Sequence, residues 1–189
     1  MTIDRKEAIK RSALIMGGLI FAPNALGVLS GCKARPALDW SPEYFNRNHA
    51  RLVSSLAETI IPETDSPGAI EAGVPGFIEE MVYTGYTEDA RSLFLSGLDA
   101  LDDLAGETHG DRFADLDAET QHRFASEQNR TAIESGISPP PFFLIMKELT
   151  VMGYYTSEPG AKQALRYERI PGRYDGCVPF EDVGKTWAT

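Results

Sequence analysis

The sequence predicts an all-α fold: a compact multi-helix single domain that ends in an irregular tail rich in Gly and Pro. Three observations lead there. Apolar residues recur at helical spacing in several stretches. Capping residues and prolines stand where those stretches begin and end. No convincing run of period-two alternation marks a strand, and no segment repeats.

Taken in order, Ser41-Pro42-Glu43 offers a hydroxyl cap followed by proline at the first helical position. Phe45, Leu52, Val53, Leu56, Ile60 and Ile61 follow at helical spacing until Pro62 stops the run. Residues 63–73 are rich in Gly, Pro, Asp and Ser and read as a loop, with one turn over 69–72. Pro75 opens a short second helix through Phe77, Ile78, Met81 and Val82. Thr87 caps a third, whose Ala90, Leu93, Phe94, Gly97, Leu98, Leu101 and Leu104 form the clearest apolar stripe of the chain. A break is expected over Gly106–Gly110, and Asp115 or Asp117 caps a polar fourth helix through Phe124 and Ala125. Ser138-Pro139-Pro140-Pro141 precedes a fifth, Phe142 to Tyr155, that is apolar nearly all round and so predicts a central buried helix. Ser157-Glu158-Pro159-Gly160 begins a last short helix ending near Tyr167. Beyond it Pro171, Gly172, Gly176, Pro179 and Gly184 describe a tail that needs a surface to lie on.

Composition narrows the function. The 189 residues carry 18 Lys+Arg against 28 Asp+Glu, a net charge of −10, and an acidic surface repels phosphate backbones. Nucleic acid is therefore excluded as a partner. Two cysteines cannot build a disulfide scaffold or an all-thiolate zinc site.

The first residues differ from the rest. Arg5, Lys6, Lys10 and Arg11 form a basic head, Ala13 to Ala22 is apolar, and small residues follow, which together make an export signal over residues 1–31. The apolar run is short of the roughly 20 residues of a stable span. Leu29-Ser30-Gly31-Cys32 resembles the lipobox of bacterial lipoproteins, and the resemblance implies cleavage before Cys32 and lipid attachment to it. Lipid chains would tether the body to a membrane with no spanning helix. Residues 32–40 then serve as a tether and residues 41–189 as the domain. Asp4-Arg5-Lys6-Glu7-Ala8-Ile9-Lys10 is similar to a twin-arginine export motif, with Lys6 in place of the second arginine. A guanidinium and an ammonium are not equivalent donors, so twin-arginine and general secretory export both stay open.

Chemistry-bearing constellations are few. His49, His109 and His122 lie at no metal-ligand spacing, and His49 falls beside the apolar face of the first helix as a boundary residue. Glycine-rich phosphate loops, Cys-x-x-Cys-His and Gly-x-Ser-x-Gly are absent from the sequence. The adjacent carboxylates Glu79-Glu80, Asp102-Asp103 and Glu181-Asp182 read as solvated faces; helical neighbours project about 100° apart, so the first two pairs form no facing acid/base dyad. No catalytic, cofactor-binding or metal residue is assigned. The stretch that stands out runs from Leu149 to Gly160 and on into the tail. It concentrates Met152, Tyr154, Tyr155, Tyr167, Tyr174 and Cys177 around a glycine-interrupted helix end. Such residues are enriched where proteins dock, although packing of a terminal helix has the same composition.

Two blocks now point to a family. Leu56-Ala57-Glu58-Thr59-Ile60-Ile61-Pro62-Glu63-Thr64-Asp65-Ser66-Pro67-Gly68-Ala69, with Ala72-Gly73-Val74-Pro75 after it, is one. Gly153-Tyr154-Tyr155-Thr156-Ser157-Glu158-Pro159-Gly160 and the Tyr167…Pro171-Gly172…Tyr174…Cys177 tail are the other. Together they resemble the gluconate 2-dehydrogenase subunit 3 family. The resemblance implies a small, non-catalytic subunit of a periplasmic, membrane-associated sugar or polyol dehydrogenase complex. In such a complex a large flavoprotein of the glucose-methanol-choline oxidoreductase type holds FAD. Electrons pass to a multihaem cytochrome c subunit or directly to the respiratory chain, and the small subunit binds no cofactor while assisting folding and export of the large one. An alternative reading is an autonomous periplasmic lipoprotein that binds a small ligand. With Cys32 lipidated, Cys177 would be left as an odd cysteine in an oxidising compartment, which places it at the partner interface or as an inert buried thiol.

Overall fold

A computed structural model describes residues 40–170, 172 and 177–188. The export signal with Arg5, Lys6 and Lys10, the lipobox Cys32 and Tyr174 lie outside the described residues.

The architecture is helical. Helix α1 spans Arg47–Ile60, α2 spans Val74–Glu80 and continues into a π turn over Met81–Gly85, and α3 spans Glu88–His109. A 3-10 turn over Phe113–Asp115 leads to α4, Ala118–Ser135. Helix α5 spans Phe142–Thr156, and a second π turn covers Gly160–Ala164. The tail adds a short α6, Phe180–Val183, and a two-residue parallel ladder in which β1, Arg166–Tyr167, pairs with β2, Trp187–Ala188. The last helix therefore ends before Tyr167, which lies in a strand too short to leave any alternation in the sequence.

Most ends obey their local signals. The Thr87 hydroxyl accepts from Ala90 N–H at 3.3 Å. The Asp117 carboxylate accepts both the backbone N–H and the hydroxyl of Thr120, so it, not Asp115, is the cap. Pro62 follows the last turn of α1, and Pro75 sits in the first turn of α2 behind Gly73, whose φ of 74° only glycine adopts freely. Gly106 breaks nothing: α3 runs on to His109 and ends at Gly110 in the left-handed region.

The start of α1 is the clear exception. Residues 41–45 are not helical, and the cap is Asn46, which accepts from His49 N–H at 2.9 Å. The reason is Glu79. Its carboxylate, only 5% exposed, accepts the backbone N–H groups of Glu43 (3.1 Å), Tyr44 (2.9 Å) and Phe45 (2.6 Å). A carboxylate that takes three successive amides holds that backbone out of a helix. Glu79 is thus a buried structural anion and not part of a solvated face. Asp102 likewise leaves the solvent, accepting Phe113 N–H at 2.9 Å.

Helices α1 and α5 share the centre of the fold, each packed against the other four of α1–α5. From His49 to Ile60 on α1 no residue is exposed. Several of its polar side chains are engaged. His49 Nε2 lies 2.9 Å from Asp99 and Arg51 donates to Asp115 at 2.9 Å. Ser54 accepts from the Trp40 indole while donating to Ala50 C=O. The Glu58 carboxylate accepts Glu63 N–H and Ile70 N–H, each at 2.9 Å. Burying polar groups is tolerable because each has a partner.

Candidate functional site

The two blocks that carry the family resemblance meet in space. Glu58 fastens both ends of the 63–70 loop, and Gly68 lies so close above its carboxylate that a Cβ there would overlap it. The hydroxyl of Tyr154, on α5, donates to Pro67 C=O at 2.7 Å. One residue earlier, Gly153 leaves room for the ring of Phe77, which a Cβ would approach to 2.6 Å. Ser157 accepts from Gly160 N–H and donates to Tyr154 C=O, closing the end of α5. These residues build a rigid junction of α1, α2 and α5, and none of them is left with free chemistry.

Tyr154 is therefore not a surface contact. It is 2% exposed and belongs to the core. The other described members of the tyrosine-rich region lie at the surface: Met152 at 42%, Tyr155 at 45% and Tyr167 at 44% exposure, with Cys177 exposed in the tail.

Helix α5 explains the split. Phe143, Met146, Leu149, Thr150, Gly153 and Tyr154 are buried on one face. Ile145, Glu148, Met152 and Tyr155, at intervals of three and four residues, line the opposite one. An all-round apolar helix predicts complete burial, yet here its second face is left to solvent, with Val151 also 38% exposed beside it.

At its first turns this open face runs into a groove that the sequence did not announce. The Pro139–Pro141 segment folds against α3, leaving a trough of about 600 Å³ walled by Tyr86, Leu93, Phe94, the prolines, Phe142 and Ile145. Glu148 is the only charged residue among those lining it. Leu93, at the rim, is 63% exposed. Gly97 makes the groove possible, since a Cβ at that position would stand 2.5 Å from the Phe142 ring. A mid-helix glycine beside the best apolar stripe was the one sequence signal of a close approach there. Across Phe142 a second hollow of about 360 Å³ is lined by Leu101, Leu104, Ala132 and Ile137 among others, and Ile137 is 64% exposed. Burial raises the pKa of Tyr86, and the nearby Glu148 carboxylate raises it further.

Among the described residues no group of three His, Cys, Asp or Glu side chains is placed to hold a metal ion, and no helix is long and apolar enough to cross a membrane. His49 is held by Asp99 and by the Asn46 amide, edge-on to Phe45. The adjacent Asp102 and Asp103 both pair with Arg112. What the geometry defines is a helical domain with a partly exposed apolar stripe, Val151, Met152 and Tyr155, on the outer side of α5.

A family model described as gluconate 2-dehydrogenase subunit 3 matches residues 47–172, and the chain belongs to that family. No curated protein and no solved structure matches it. The match begins at the first residue of α1 and takes in the first block, the second as far as Gly172, and the junction between them; Tyr174 and Cys177 lie beyond it.

Proposed function

We propose that this chain is the non-catalytic small subunit of a periplasmic, membrane-associated, FAD-dependent dehydrogenase complex acting on gluconate or a related sugar or polyol. It assists folding and export of the large flavoprotein subunit, which carries the FAD and performs the oxidation. Electrons leave through a multihaem cytochrome c subunit or directly to the respiratory chain. The basic head with Arg5, Lys6 and Lys10 directs export, and lipid on Cys32 anchors the assembly.

The observation that carries this reading is the exposed apolar face of α5. Leaving Met152 and Tyr155 in water, with Ile145 only partly covered, costs free energy that a partner's surface recovers, at about 25 cal/mol per Å² of apolar area covered. The rigid junction of Glu58, Gly68 and Tyr154 fixes the direction of α5, so the face is presented preorganised and little ordering entropy is lost on docking. Exposed Tyr167 and Cys177 widen the surface available to the partner.

Expression of the chain alone and together with a large flavin-dependent dehydrogenase subunit tests the proposal. The expected result is an insoluble or sticky chain when made alone, and a soluble complex, with dye reduction by a sugar or polyol, when the two are made together. Turnover by the isolated chain, or no association with any such flavoprotein, would overturn it.

A further inference from the structure

We propose that the groove between α3 and Pro139–Pro141 is the seat of an apolar segment of the large dehydrogenase subunit, and that this segment carries one lysine or arginine that meets Glu148. The inference rests on the subunit reading above and adds where the partner binds and by what chemistry.

Four features select that occupant. The walls are apolar and half of them are rigid: the prolines have fixed φ, and Phe142 is held against Gly97. Little conformational freedom is lost when such a wall is covered. Glu148 is the single charge of the lining and, among the described residues, has no hydrogen-bonded cation of its own, whereas the neighbouring Lys147 is engaged with Asn129 at 3.0 Å. An apolar trough with one carboxylate complements an apolar segment with one cation.

The third feature is length. The open stripe continues past the groove from Ile145 to Tyr155, ten residues or about 15 Å along the helix. A small molecule in the trough would leave Met152 and Tyr155 bare; a protein surface covers both. The fourth is charge. A second copy of a chain of net charge −10 would bring Glu148 against like charge, which disfavours self-pairing through this face. The groove and the stripe together therefore form one surface addressed to a different polypeptide.

The test uses the co-expressed complex, with retention of the dehydrogenase on the tagged small subunit as the readout. Leu93→Asp and Glu148→Lys each reduce retained dehydrogenase by about tenfold or more. Glu148→Gln reduces it less than Glu148→Lys, and Ile170→Asp, at an exposed residue outside the groove, leaves it within about twofold. Circular dichroism of each variant checks that the helices persist, as the exposure of these side chains predicts. Retention undiminished by Leu93→Asp and Glu148→Lys overturns the groove while leaving the subunit reading intact. Equal behaviour of Glu148→Lys and Glu148→Gln overturns the basic contact. A wild-type homodimer that Leu93→Asp dissolves would assign the groove to a second copy. A wild-type chain that retains no dehydrogenase refutes the subunit reading itself, and the groove assignment with it.

Discussion

Helices α1 and α5 lie in contact, and they invert the usual relation between polarity and burial. Helix α1 reads as amphipathic, with His49, Arg51, Ser54, Ser55, Glu58 and Thr59 among its apolar residues, yet nothing from His49 onward is exposed. Helix α5 is apolar almost throughout, yet one of its faces stands in solvent. The difference lies in what each side chain finds. On α1 every buried polar group has an internal partner, so covering it costs little. On the outer face of α5, Ile145 is only partly covered and Met152 and Tyr155 stay exposed. A helix finished from inside is a structural centre; a helix finished on one side only awaits a neighbour.

The largest effect expected in this comparison is at Glu58. Glu58→Ala removes the acceptor for two backbone N–H groups and frees the 63–70 loop, which should lower stability by about 3 kcal/mol. Denaturant unfolding of the domain measures it, and a loss below about 1 kcal/mol would mean the polar residues of α1 are not what fastens it. Tyr154→Phe comes next. It leaves Pro67 C=O without its buried donor, at a cost of about 1 kcal/mol.

A pH experiment sharpens the account of the helix ends. Hydrogen bonds from Thr120 hold the Asp117 carboxyl below its usual range in the folded chain. Because the folded value is the lower one, its contribution is present above the unfolded pKa and is lost as pH falls through the folded one. Asparagine caps as well as aspartate but does not titrate. Asp117→Asn should therefore match wild type near neutrality and lose less Tm than wild type on acidification below about pH 4. Parallel Tm curves would contradict that role. The smallest effect belongs to the open face of α5: Met152→Ser should change the stability of the isolated chain by less than about 0.5 kcal/mol while reducing the dehydrogenase it retains.

Much of the fold was legible because helix ends are decided locally. Thr87, Asp117, Pro62 and Pro75 act within a turn of where they stand, and so does the turn over 69–72. The misplaced start of α1 was settled by Glu79, more than thirty residues away, whose carboxylate competes for the amides of residues 43–45. The β1–β2 pairing joins residues about twenty apart over only two positions, too short for a pattern. Among site residues, Met152, Tyr155, Tyr167 and Cys177 proved to be at the surface because they follow the outer face of α5 or the tail. Tyr154 did not, since one step along a helix turns about 100° into the core. The groove was illegible for the same reason as Glu79: it exists only once Pro139–Pro141 has folded against α3 and Phe142 has settled over Gly97.

Oxidative footprinting of the chain with and without its dehydrogenase partner bears most directly on the claim that the outer face of α5 is a covered surface. Met152 and Tyr155 are both exposed and readily oxidised. The account predicts that labelling of Met152 and Tyr155 drops several-fold in the complex. Equal labelling of Met152 and Tyr155 in the free and bound chain would contradict it.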